Sequence, residues 1–189
     1  MTRVILLNGP PRVGKNTAAE LLRAATPAST VIGFSHHLKR MVHGIYLGAA
    51  GWGMDPDAFD AVKSEPQEML NGKSWRWAYI HYSEQVIKPL HGKEWFGEMF
   101  VRAMHASGAQ AVIVPDSGFR EEAERTVREV GQENVLLIRL HRDGVTFAGD
   151  SRSYISLSDL GVREIDVENR DGEPAAMLAA IAGKLGAPA

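Results

Sequence analysis

The chain has 189 residues, with 21 lysines and arginines against 23 aspartates and glutamates and a formal net charge of −2. That length suits one domain with a full hydrophobic core, and the near balance of charge gives no global drive onto nucleic acid or an anionic membrane. The absence of cysteine excludes a disulfide framework, a thiolate zinc site and a cysteine nucleophile, and fits a reducing compartment.

Residues 4–7, Val-Ile-Leu-Leu, read as a buried strand that ends in the turn Gly9-Pro10-Pro11-Arg12-Val13-Gly14. This apolar run is too short for a signal segment or a membrane span, and no longer one follows. The expectation is a soluble, cytoplasmic protein. Ala18, Leu21, Leu22 and Ala25 recur at helical spacing and predict a helix that stops before Pro27. Residues 30–34 read as a second strand. From 35 to 107 the chain is mostly helical or irregular, broken by Gly51-Trp52-Gly53 and Asp55-Pro56. Within it Trp75, Tyr79, Tyr82, Val86 and Leu90 form one helical stripe, read as core packing. Arg76 falls on a different stripe with Ile80, Ser83 and Ile87. Residues 111–114 are a strong strand, 119–130 a helix, and 135–138 another strand. Residues 141–160 carry Gly144, Gly149, Asp150 and four serines, a polar excursion. Residues 162–167 read as the last strand and 173–185 as the final helix.

Strands alternating with helices imply an α/β fold, a parallel sheet of about five strands with helices on both faces. The expected single domain has its core at 1–34, 108–140 and 161–189. A helical insert at 35–107 and a small excursion at 141–160 interrupt that core. This is the outline of a nucleotide-binding domain.

Gly9 and Gly14-Lys15 complete the pattern G-x-x-x-x-G-K between a strand and a helix. Glycines let backbone N–H groups turn inward around phosphate oxygens, the helix N-terminus adds partial positive charge, and Lys15 adds a full one. Asn16, followed by Thr17, occupies the position where Ser or Thr usually ligates magnesium; its amide oxygen serves instead, or water and phosphate hold the ion. The seven histidines show no metal-binding spacing such as H-E-x-x-H, and no G-x-S-x-G occurs, so metallohydrolase and Ser/His/Asp chemistry are not supported.

The loop Gly14-Lys15-Asn16-Thr17 is similar to the GKDT loop of bacteriophage-type deoxynucleoside monophosphate kinases. Further stretches resemble that family in order. They are Gly72-Lys73-Ser74-Trp75-Arg76, Ser83-Glu84-Gln85, Lys88-Pro89-Leu90-His91-Gly92-Lys93, and Val114-Pro115-Asp116-Ser117-Gly118-Phe119 with Glu122. Asp150-Ser151-Arg152 and Asn169-Arg170-Asp171-Gly172 complete the series. Trp75 departs from a common proline. Gly118 departs from a common arginine, and Arg120 is expected to take over its role.

The resemblance implies a P-loop kinase with a substrate-binding insert and a lid at 141–160. It would move the γ-phosphate of ATP, with magnesium, to a deoxynucleoside monophosphate in DNA precursor synthesis; the setting is the host cytoplasm if the protein is viral. Gly9, Arg12, Val13, Gly14, Lys15, Asn16 and Thr17 would hold ATP, joined by Arg142 and by Asn169 near the adenine. Lys39, Arg76, Glu84, Asp116, Arg120 and Arg152 would hold the acceptor. Lys15, Arg76, Asp116 and Arg152 would act in transfer, since arginine forks suit phosphate. Asn16 and Asp116 would meet magnesium, directly or through water, Asp116 from a strand end facing the ligand crevice. An N-cap on the following helix is the structural reading of Asp116. The expected partners are small nucleotides, not nucleic acid or membrane, for a monomer or homodimer. Two other readings stay open: a P-loop kinase of another acceptor, such as dephospho-coenzyme A or a sugar acid, and a non-catalytic nucleotide-binding module.

Overall fold

A computed structural model describes residues 2–170 and 172–186. Five strands, β1 (Arg3–Asn8), β2 (Ser29–Val31), β3 (Ala111–Ser117), β4 (Val135–His141) and β5 (Arg163–Glu168), form one sheet in the order β2-β3-β1-β4-β5. Every pairing is parallel. Parallel neighbours require crossover connections, which carry helices onto both faces. Side chains alternate accordingly. Val4, Leu6, Val112, Val114, Val135 and Leu137 pack with Phe100 and Met104 of α6 (Trp95–Ser107) and Ala123 and Val127 of α7 (Arg120–Val130). On the other face Leu7, Ile113, Ile138 and Leu140 pack with Ala18 and Leu22 of α1 (Lys15–Ala25) and Met177 and Ile181 of α8 (Pro174–Gly186).

The second strand is shorter than its apolar pattern suggests. Pairing ends at Val31, after which Ile32 N donates once more, to Ile113 O at 3.1 Å. The chain then turns, because the carboxylate of Asp116 collects Phe34 N at 2.8 Å, Ser35 N at 2.9 Å and Ser35 Oγ at 2.5 Å. Gly33 makes the turn fit, since a Cβ there would lie 2.8 Å from Asp116 Oδ2.

Between β2 and β3 the chain builds a separate apolar cluster. Leu38 and Val42 of α2 (His36–Leu47) pack with Trp75 and Tyr79 of α4 (Trp75–His81), Ile87 and Phe96. Phe59 stacks on Trp75 with ring centroids 4.4 Å apart. The expected stripe is followed at Trp75, Tyr79 and Tyr82, which packs against the cluster, and then lost: Ile87 is buried and Leu90 is 72% exposed. A π-helical turn, Tyr82–Ile87, joins α4 to α5 (Lys88–His91), and Lys88 N donates to Ser83 O, five residues back. Such a turn holds one extra residue, so the buried position moves from 86 to 87.

The 141–160 excursion is tied to the sheet by Asn8, which is fully buried. Asn8 Nδ2 donates to Ser117 O at 2.9 Å and Ser153 O at 3.0 Å, and Ile155 N donates to Asn8 Oδ1 at 3.1 Å. Ile155 and Leu157 then enter the α6–α7 side of the core. Among the described residues no helix is long and apolar enough to cross a membrane.

Candidate functional site

A cleft of about 830 Å³ opens at the C-terminal ends of the strands, where open parallel sheets place ligands. Its walls come from the β1–α1 loop, the turn into α2, α4, the end of β3 and residues 149–152.

The loop takes positive φ at three positions, two of them glycines. Gly9 has φ 155° and Gly14 φ 97°, and Arg12 also takes a left-handed φ of 68°. A Cβ on Gly9 would lie 2.7 Å from Leu140 O, and one on Gly14 would collide with Asn169 Nδ2. That amide donates to Val13 O at 2.6 Å, while Asn169 N donates to His141 O at 2.8 Å. Asn169 thus braces the loop from behind. Arg142 lies beside it, with Nε donating to Asn169 O at 3.1 Å. Asp171, in the same stretch of the sequence, lies outside the described residues.

Helix α1 begins at Lys15 without a side-chain cap and without an acidic residue in its first turn. Its first N–H groups and its dipole therefore bear on the loop uncompensated. Lys15 is buried, 8% exposed, and its Nζ donates to Gly9 O at 2.6 Å and Pro10 O at 2.7 Å. Burial, then the charge of Arg152, pulls this ammonium down to about 8, against the opposing carboxylates of Asp116 and Asp150. Arg12, Asn16 and Thr17 line the cleft beside it.

Asp116 reaches the cleft but does not cap α7, whose N-cap is Phe119. Its carboxylate instead anchors the turn into α2. Arg152 grips Asp150 with two hydrogen bonds, Nε to Oδ1 at 2.8 Å and Nη2 to Oδ2 at 2.7 Å, and these hold the Asp150 carboxyl down at about 2. The stem of Arg152 lies across Gly118: a Cβ there would be 2.7 Å from its Cβ, Cγ and Cδ. Arg120 is not among the cleft-lining residues. It is bound to Glu124 at 2.5 Å and Asp159 at 2.6 Å, and donates to Ser156 O at 2.5 Å. The space above Gly118 is filled from the excursion, by Arg152, and not from α7.

Arg76, in the first turn of α4, lines the cleft with Nε 3.2 Å from Ser64 Oγ. Its own N–H donates to Lys63 O at 2.7 Å. Lys39 also lines the cleft, but is held by Asp57 at 2.5 Å and Asp60 at 2.8 Å. Glu84 accepts from Lys88 at 2.6 Å, and Lys88 Nζ sits 3.8 Å from the Phe119 ring centroid. Among the described residues no group of three or more His, Cys, Asp or Glu is placed to hold a metal ion.

Asn8 lies outside the motifs, and Gly118 and Glu122 stand within one that assigns neither a role of its own. Asn8 and Gly118 act through partners more than 30 residues away. Glu122 is 4% exposed on the cleft wall; its helical spacing to the buried Thr126 and Val130 is a signal that would have found it. No protein-family model matches the chain, and no curated protein is significantly similar to it.

Proposed function

We propose that the protein is an ATP-dependent kinase that transfers the γ-phosphoryl group to a deoxynucleoside monophosphate, giving ADP and the diphosphate. The observation that carries this reading is the glycine loop with buried Lys15, which opens on the same cleft as Arg76 and Arg152. These two arginines come from two separate insertions of one sheet. A donor site alone would not need them; two phosphate-bearing substrates do. The loop and the α1 N-terminus cradle the donor phosphates, and Lys15 places its charge where the transferring group becomes more anionic. Arg76 receives the acceptor phosphate from the 35–107 insert. Arg152, on the 141–160 lid, meets the equatorial oxygens. In transfer, an oxygen of the acceptor phosphate bonds to the γ-phosphorus as the bond to ADP breaks.

Magnesium supplies charge neutralisation along the ATP phosphates. Three donors already engage the Asp116 carboxylate, so the residues present would fit an ion bound through phosphate oxygens and water, with Asn16 on the cleft wall as a further oxygen donor. They do not form a protein cage.

A coupled assay of ADP release, run with ATP, magnesium and each natural deoxynucleoside monophosphate, tests the proposal. Release with none of them overturns it. Release only with another phosphate acceptor keeps the loop and reassigns the acceptor. Lys15→Ala lowers kcat/KM by about 10²–10³-fold or more while the circular dichroism spectrum is retained; a wild-type rate removes the loop from the chemistry.

A further inference from the structure

The Glu122 carboxyl makes no hydrogen bond or ion pair among the described residues, although it is almost wholly buried on the cleft wall. Only its backbone is engaged, with Thr126 Oγ1 donating to Glu122 O at 3.1 Å. That backbone is also tightly packed: a Cβ on Gly97 of α6 would lie 2.9 Å from Glu122 O and 3.1 Å from its Cα. The carboxyl oxygens are not among the fully enclosed unpartnered atoms, so the little access the residue keeps is at its polar end, where it can meet what enters the cleft.

The surroundings narrow what that is. The charged groups facing Glu122 are Asp116 from the end of β3, Lys88 from α5, Glu121 from α7 itself and Arg152 from the excursion. Burial, then Asp116, pushes the carboxyl well above the ordinary carboxylate range, with Lys88 and Arg152 opposing. A neutral acid both donates and accepts, and its natural complement is another neutral group that does both. Asp116 and Arg152, which carry charge, and Phe119 and Phe96, which are apolar, line the same cleft as Glu122. A monophosphate whose phosphate meets the charged groups and whose base meets the apolar ones has its sugar left to pair with the Glu122 carboxyl.

We infer that the Glu122 carboxyl receives the sugar 3′-hydroxyl of the acceptor nucleotide and so makes Glu122 a specificity residue. This rests on the kinase reading above. The test compares a deoxynucleoside monophosphate with its 2′,3′-dideoxy counterpart as acceptors, in wild type, Glu122→Gln and Glu122→Leu. Wild type prefers the deoxy acceptor by at least about tenfold in kcat/KM. Glu122→Gln, which still donates and accepts at that place, keeps most of the preference. In Glu122→Leu the ratio collapses toward one, while the KM for ATP stays put. A Leu variant that retains the wild-type ratio, or loses equally on both acceptors, overturns the inference. If that variant does not fold, Glu122→Met carries the same measurement. If wild type phosphorylates neither acceptor, the kinase reading has failed by itself. The two monophosphates are then compared by calorimetric binding to wild type, where equal affinities overturn the sugar contact as well.

Discussion

Gly118 shows how much one missing side chain decides. The Arg152 stem occupies the volume where a Cβ would stand, and its guanidinium is set by the fork on Asp150. Gly118→Ala therefore displaces the Arg152 side chain and, because its Cβ is tied to the main chain, the backbone that carries it. The expected result is a lowered melting temperature with the fold retained and a fall of about 10- to 100-fold in kcat/KM, since misplacement of a charge-bearing group near 1 Å costs on that order. Wild-type turnover in the coupled assay would show that the Arg152 guanidinium does not depend on this seat. The same residue explains why Arg120 was a reasonable sequence expectation and an incomplete one. In the sequence it is the nearest arginine to position 118. Its partners Glu124 and Asp159 are a turn and an element away, and nothing in local spacing announces them.

At the scale of elements, what was legible followed from burial on two sides. The runs at 4–7, 111–114 and 135–138 are apolar without interruption because helices cover both faces of their strands. The glycine loop was legible because its backbone conformation admits few residues. The limits of β2 were not, because Asp116, 85 positions beyond Val31, pulls the chain away after it. Nor was the π-helical turn, which no residue type demands. It aims Ser83 and Glu84 at the cleft while leaving Gln85 exposed. Deleting Gln85 removes the extra residue and converts the turn to regular α-helix, with both flanks kept in phase. The deletion is expected to fold, with a melting temperature within a few degrees of wild type or above it. The KM for the acceptor is expected to rise about tenfold as Ser83 and Glu84 turn away. An unchanged acceptor KM would show that the turn serves packing alone.

Across the whole molecule, two apolar bodies face each other over the cleft. One is the sheet with its helices; the other is the cluster around Trp75. Helix α6 contributes Phe96 to the second and Phe100 to the first, and the Asp116–Ser35 bonds make a further tie. The cleft is therefore framed by two packed bodies, and the groups inside it feel desolvation from both. Lys15 carries the clearest trace of this, with its ammonium lowered to about 8. A polyphosphate settling beside it restores the ordinary lysine affinity for a proton. Nucleotide association at pH 8 then draws about half a proton from the solvent per molecule bound, and about a tenth at pH 7. Titration calorimetry in buffers of differing ionisation enthalpy reads this directly. The apparent heat should vary with the buffer at pH 8, vary much less at pH 7, and lose the dependence in Lys15→Ala. A heat independent of buffer at pH 8 would mean that Lys15 is fully charged before the nucleotide arrives. A heat that does follow the buffer would make the chain a proton sink on binding phosphate, with the buffering of its surroundings a part of its affinity.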